Sequence, residues 1–249
     1  MTKCFFIFFL FLIACNLSAQ SQRLRFDHIT TDNGLSDNYV THIFQDKKGF
    51  IWISTQDGIN RFDGYDFKHY KHIPGKLNSL GDYAVNHIFE DSKGIFWIST
   101  RDGLNKFSPV TETFVHYKMD KKDPNSLSAK RVYGCVEDKN GNIWIATSNG
   151  LNRFEPTKET FEKYTRVSGD SKSISDNVIA TLFSDSKGNL WIGTTNGLNL
   201  YDFESNTFKT FLTESGEPNS PGTNRITALY EDSKGTLWIG TRGGLVKLI

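Results

Sequence analysis

The sequence predicts an all-β fold, a β-propeller of five four-stranded antiparallel blades, and three observations predict it. Trp52, Trp97, Trp144, Trp191 and Trp238 are spaced by 45, 47, 47 and 47 residues. The text around them recurs as GFIWISTQDGIN, GIFWISTRDGLN, GNIWIATSNGLN, GNLWIGTTNGLN and GTLWIGTRGGLV. Each unit also reads as four short strands parted by turn residues. Four antiparallel strands in about 45 residues make a propeller blade, whereas a helical solenoid would show a 3.6-residue period. The units fall at about 30–70, 77–117, 124–164, 171–211 and 218–249, within a domain over 23–249.

The elements follow in order. The first strand is an apolar stretch, Val40 to Phe44, matched by Val85 to Phe89, Val132 to Val136, Ile179 to Phe183 and Ile226 to Tyr230. An Asp-x-x-Gly turn comes next, at Asp46, Asp91, Asp138, Asp185 and Asp232. Asp opens such a turn by bonding its own backbone, and Gly closes it at positive φ. The second strand carries the Trp and ends at Thr55, Thr100, Thr147, Thr194 and Thr241. Asp57-Gly58, Asp102-Gly103, Asn149-Gly150, Asn196-Gly197 and Gly243-Gly244 then predict a type I′ hairpin. A third strand starts at Ile59 and its counterparts, and a fourth carries an aromatic pair such as Phe114 and Tyr117. One blade cannot bury both faces, so the Trp, Ile and Phe columns are expected to pack between stacked blades.

Residues Arg25 to Ile29 match a fourth strand, while Leu245 to Ile249 match a third. Two arrangements follow: a closed ring whose N-terminal strand completes the last blade, or an open arc cut from a larger seven-bladed propeller.

The N-terminus reads as a signal peptide over 1–19. Lys3 precedes an apolar run from Cys4 to Cys15, and Leu17-Ser18-Ala19 offers small residues for cleavage. The run is shorter than the about 20 residues that span a bilayer. Leu12-Ile13-Ala14-Cys15 also fits a lipoprotein box, which would lipidate Cys15. Both readings place the domain in the periplasm or outside the cell. Cys135 is the one cysteine beyond the leader, so no intrachain disulfide is expected. Lys plus Arg is 29 and Asp plus Glu is 28, a balance that argues against a nucleic-acid surface.

Asp32-Asn33-Gly34-Leu35-Ser36, Gly49-Phe50-Ile51-Trp52-Ile53-Ser54-Thr55 and Asp57-Gly58-Ile59-Asn60-Arg61-Phe62-Asp63-Gly64 resemble the two-component regulator propeller repeat. The resemblance implies the extracytoplasmic sensor region of Bacteroidetes hybrid two-component histidine kinases, with polysaccharide fragments as ligands. In that family two seven-bladed propellers precede an immunoglobulin-like domain, a membrane helix, a kinase, a receiver and a DNA-binding domain. The present sequence ends after five repeats, without a kinase motif or a membrane helix beyond the leader. It therefore reads as the N-terminal part of such a receptor whose C-terminal portion is missing, with a free-standing propeller as the alternative. The fifth repeat departs from the pattern, with Val246 where the others have Asn60, Asn105, Asn152 and Asn199.

No catalytic residue, metal site or cofactor is predicted. The glycines sit in hairpins rather than in phosphate loops, and no Cys/His cluster has zinc spacing. His42 and His87 share one column, where the other repeats have Gly134, Thr181 and Ala228; they read as polar strand positions. A glycosidase needs two unlike carboxylates converging on one bond, and a repeat-wide Asp is the opposite pattern. Cys135 falls in the apolar column of Ile43, Ile88, Leu182 and Leu229.

Shared positions build the scaffold, so function is expected where the repeats differ. One variable set precedes the first strand: Tyr39, Tyr83, Arg131 and Arg225. The other follows the Trp strand: Gln56, Arg101, Ser148, Thr195 and Arg242. Aromatic and Arg residues around a concavity suit an oligosaccharide or uronate ligand. The predicted function is a non-catalytic ligand sensor; a protein-interaction scaffold and a carbohydrate lyase or hydrolase are the alternatives.

Overall fold

A computed structural model describes residues 24–212 and 223–248. The predicted leader and Cys15 lie outside the described residues. Five antiparallel sheets follow one another along the chain. The first is β1 (Val40–Gln45), β2 (Ile51–Thr55), β3 (Gly58–Phe62) and β4 (Phe67–Tyr70). The second is β5 (Val85–Glu90), β6 (Phe96–Thr100), β7 (Gly103–Ser108) and β8 (Thr113–Tyr117). The third is β9 (Val132–Glu137), β10 (Ile143–Thr147), β11 (Gly150–Glu155) and β12 (Thr160–Tyr164). The fourth is β13 (Ile179–Ser184), β14 (Leu190–Thr194), β15 (Gly197–Asp202) and β16 (Thr207–Phe211). The fifth is β17 (Ile226–Glu231), β18 (Leu237–Thr241) and β19 (Gly244–Lys247). Strands pair in sequence order, so the chain is an all-β five-bladed propeller.

The predicted turn after each Trp strand takes a different form. A type I′ turn needs positive φ at both central residues, but Asp57, Asp102, Asn149 and Asn196 keep negative φ. Only the glycine crosses over, with Gly58 at 97° and Gly103 at 124°. The physical reason is the preceding threonine. Thr55 Oγ1 accepts the Asp57 N–H at 3.1 Å and donates to the Gly58 carbonyl at 3.2 Å. That short side-chain loop holds residue 57 in the ordinary region and leaves only the glycine to reverse the chain.

The core lies between blades. Trp52, Ile59 and Tyr70 of the first blade pack on Val85, Ile88, Phe96, Ile98 and Phe107 of the second. Trp97, Leu104 and Tyr117 meet Cys135, Ile143, Ile145 and Phe154 of the third. Trp144 and Leu151 meet Ile179, Leu190, Ile192 and Tyr201, and Trp191 and Leu198 meet Ile226, Leu237 and Ile239. Each blade thus presents an indole face forward and an Ile/Phe face backward. The Cys135 thiol is a filler in this core, and burial pushes it up to about 12.

Successive blades are also tied at their polar edges. Ser92 N–H and Oγ both donate to Glu137 of the next blade at 2.7 Å, and Ser186 does the same to Glu231. Tyr70, Tyr117 and Tyr164 donate hydroxyls to Glu112, Glu159 and Asn206 of the following blade, at 3.1, 3.1 and 3.0 Å. Those three acceptors have φ of 53°, 53° and 57°. Their backbones sit in the left-handed region that L residues otherwise avoid.

The closed ring with an N-terminal strand is not formed among the described residues. The fifth sheet has three strands, and residues 24–30 pair with none. Phe26, predicted as a strand residue, is 77% exposed. The reason is blade placement. The inner strands pack in the series β1, β5, β9, β13, β17, and no comparable packing joins β17 back to β1. Residues 24–30 lead into the first blade without joining β19. The end faces are bare in consequence: Ile43 is 65% exposed where Ile88 is 1%.

Candidate functional site: the arginine-bearing rim

The two variable sets occupy one rim of the arc. Each first strand begins with a bulge, marked by a register shift between Val40 and His42, Val85 and His87, or Ile179 and Thr181. The residue before the strand offers its carbonyl to the residue after the Trp strand. Arg101 N–H donates to Ala84 O at 3.4 Å, Ser148 N–H to Arg131 O at 3.1 Å, and Arg242 N–H to Arg225 O at 3.1 Å. Arg131 therefore stands beside Ser148, and Arg225 beside Arg242.

The same pairing corrects one position. Ala84, not Tyr83, is the counterpart of Tyr39, Arg131 and Arg225. Tyr83 lies one residue earlier, and its carbonyl accepts the Gly58 N–H of the preceding blade at 2.9 Å. Its ring meets His72 edge-on at a centroid distance of 4.7 Å. Tyr83 still reaches the rim, but at the junction of the first two blades.

A repeated clamp holds this rim in place, and the variable residues alone would not have revealed it. Buried Asn60, Asn105, Asn152 and Asn199 accept backbone N–H groups of Ser36, Gly81, Ser128 and Ser175 at 2.8 to 3.0 Å. Asn60, Asn152 and Asn199 also donate to the Ser36, Ser128 and Ser175 hydroxyls. The connector before each first strand is thereby fastened to the third strand of its own blade. The signal lay in the shared Asn of the GIN/GLN triplets. Val246 at this position on β19 lacks the amide, so the fifth blade has no such clamp.

The rim is basic and accessible. Arg101, Arg131, Arg225 and Arg242 are exposed, as are Tyr39 (63%) and Tyr83 (49%). None of the four guanidiniums joins an ion pair among the described residues. Arg131 lies over the Tyr133 ring at 5.4 Å, a geometry that holds a cation without neutralising it. The turn carboxylates of the first two blades are occupied instead by lysines, Asp57 by Lys71 at 2.6 Å and Asp102 by Lys118 at 2.7 Å. Next to Tyr133, His87, Gly134, Ala180 and Thr181 line a cavity of about 130 Å³ on the inner wall. A larger open groove of about 640 Å³ follows the connector from Arg166 to Ser175 and contains none of the six predicted rim residues. Among the described residues, no group of three or more His, Cys, Asp or Glu could hold a metal ion.

The family described as two component regulator propeller matches at residues 34–57, 79–102, 126–149, 173–196 and 220–243, once per blade across the connector, inner strand and Trp strand. The chain belongs to the two-component regulator propeller family. This propeller is also similar to a histidine kinase of Formosa agariphila, 46% identical over 68 residues, which are 27% of this chain and 5% of the kinase. It resembles the extracellular domain of a hybrid two component system from B. thetaiotaomicron, at 22% identity and a TM-score of 0.55, over 88% of this chain and 41% of that one. A virginiamycin B lyase from Staphylococcus aureus shares the fold at 16% identity and a TM-score of 0.60, over 84% of this chain and 69% of the lyase. The chain thus spans less than half the length of the two signalling relatives. Among the described residues, no helix is long and apolar enough to cross a membrane.

Proposed function

We propose that this chain is the ligand-sensing, non-catalytic part of an extracytoplasmic receptor, exported by the leader over 1–19 and continued by a kinase-bearing portion. The ligand is an acidic oligosaccharide held on the rim by Arg101, Arg131, Arg225 and Arg242, with Tyr39 and Tyr83 as stacking surfaces. The observation that carries this reading is four exposed guanidiniums on one rim, outside any ion pair among the described residues, with the blades of Arg101 and Arg131 braced by the Asn clamp. Guanidinium forks match carboxylates bidentately, and tyrosine faces suit sugar rings. Family membership and the likeness to a histidine kinase support the signalling role.

Isothermal titration calorimetry with uronic-acid and neutral oligosaccharides tests it. A uronate oligosaccharide is expected to bind, and Arg131→Ala is expected to weaken it about tenfold, the loss of one charge-assisted pair. Absence of binding by any acidic oligosaccharide to the full receptor removes the reading. Turnover of a glycan by the isolated propeller would favour the lyase alternative instead.

A further inference from the structure

The first two blades meet at their inner strands through two imidazoles. His42 on β1 and His87 on β5 hold the same register position, opposite Ser54 on β2 and Ser99 on β6. Their ring centroids are 4.2 Å apart and their planes are tilted by 40°. His42 Nδ1 accepts the Ile88 N–H at 3.4 Å, so this nitrogen carries no proton. His87 Nδ1 is sealed from solvent without a hydrogen-bond partner, as are the hydroxyls of Ser54 and Ser99. The backbone of β9 closes over it at Gly134, where an added Cβ would stand 3.7 Å from Nδ1.

Ser54 and Ser99 stand opposite the pair and Gly134 covers His87, with the titratable Tyr133 and Cys135 of β9 lining the same cavity. The carboxylates of this junction are engaged elsewhere. Glu90 accepts the Lys47 N–H at 3.0 Å, and Asp91 binds the Trp97 indole at 2.9 Å. Lys47 Nζ is spent on the Asp91 carbonyl at 2.8 Å. Among the described residues, burial and the neighbouring ring act on these imidazoles, and no carboxylate does.

We propose that the His42–His87 contact is an acid-released latch between the first and second blades. Protonating His42 converts Nδ1 from acceptor to donor, which breaks its link to Ile88. It also sets a cation against a ring that cannot share the charge, in a site without a counter-ion. Burial holds His42 below its usual value and, with the repulsion of His42, pushes His87 down to about 3. Both rings are thus neutral near neutral pH, and His42, the more accessible, responds first on acidification. The Thr41 hydroxyl bond to Val85 O at 2.6 Å does not titrate and keeps the two blades attached. The response is therefore local loosening, not dissociation. The latch does not depend on which ligand the rim holds.

Hydrogen exchange of the chain at about pH 7 and about pH 5, corrected for intrinsic rates, tests the latch. Peptides from β1 and β5 are expected to lose protection about tenfold at the lower pH, and those from β14 and β15 to keep it. His42→Gln retains an acceptor oxygen without titrating, and it is expected to abolish that loss. Equal loosening in His42→Gln, or no loosening in the unmodified chain, overturns the proposal. Should the variant fail to fold, the NMR titration of His42 decides: a midpoint at or above 6.5 overturns the latch, and one below it, accompanied by shifts of the Ile88 amide, supports it.

Discussion

The Trp97 indole N–H donates to Asp91 Oδ2 at 2.9 Å, six residues back along the chain, and the same bond occurs in every blade at 2.7 to 2.9 Å. Each aspartate does two jobs with its two oxygens. Oδ1 of Asp91 accepts the N–H groups of Lys93 and Ile95 and so shapes the turn. Oδ2 satisfies an indole that would otherwise be buried without a partner. The Asp-x-x-Gly turn is therefore the anchor of the Trp column as well as a reversal of the chain.

Asp138→Ala removes the acceptor of Trp144 Nε1 together with the turn bonds to Asn140 and Asn142. It should destabilise the propeller by about 2–4 kcal/mol, since a buried donor is orphaned as well as bonds lost. Urea unfolding of both proteins reads this directly. Asp232→Ala should cost less, because Trp238 is only half-buried.

Trp144 is fully buried and touches Tyr164 and Tyr201 at centroid distances of 5.3 and 4.6 Å. Trp144→Ala is expected to cost about 3–5 kcal/mol. Trp238→Ala should cost clearly less, because no described blade covers its face. Equal losses at the two sites in denaturant titrations would contradict packing between blades as the source of the Trp column's stability.

Gly103 has φ of 124°, and a Cβ there would stand 2.4 Å from the Tyr117 carbonyl oxygen. Gly103→Ala must both strain its own backbone and displace a strand, so a loss above about 2 kcal/mol is expected. Gly49 has φ of 92° but open space around it. Its alanine variant should show only the conformational cost, about 1 kcal/mol. Thermal unfolding of the pair separates the two contributions.

Burial, together with the nearby Glu112 carboxylate, raises the Tyr70 hydroxyl from 10.0 to about 12. Burial likewise raises Tyr117 next to Glu159, and Tyr164 next to Tyr201. A folded-state pKa above the unfolded one means that the stabilisation is complete below pH 10 and is lost as pH rises toward 12. The melting temperature should therefore fall between about pH 10 and about pH 12. Tyr117→Phe should flatten this fall, while costing about 1 kcal/mol near neutral pH for the lost hydrogen bond.

Much of this was legible in the sequence because a blade is local. Strand alternation, the Asp-x-x-Gly turn and the Trp spacing all act within a few residues, so the text of each repeat specifies its own sheet. The type of the second hairpin was misread because it depends on a threonine side chain competing with the usual dipeptide rule. Tyr83 was misplaced by one residue although the matched strand starts Val40 and Val85 already set it opposite Asn38, and the Arg101 N–H bond to Ala84 O exposes the slip. Variation between repeats picked out residues that share one rim, and the Asn clamp beside them was seen only as a recurring letter.

What the sequence determined alone was the blade: its four strands, the apolar columns on its two faces, and the glycines where the chain reverses. Tertiary structure decided which surfaces meet. It set Trp52 against Phe96, His42 against His87, and left Ile43 and Trp238 at the uncovered ends of the arc. The physical reason is that turn and strand preferences are short-range, whereas the pairing of faces depends on where one blade's rotation places the next.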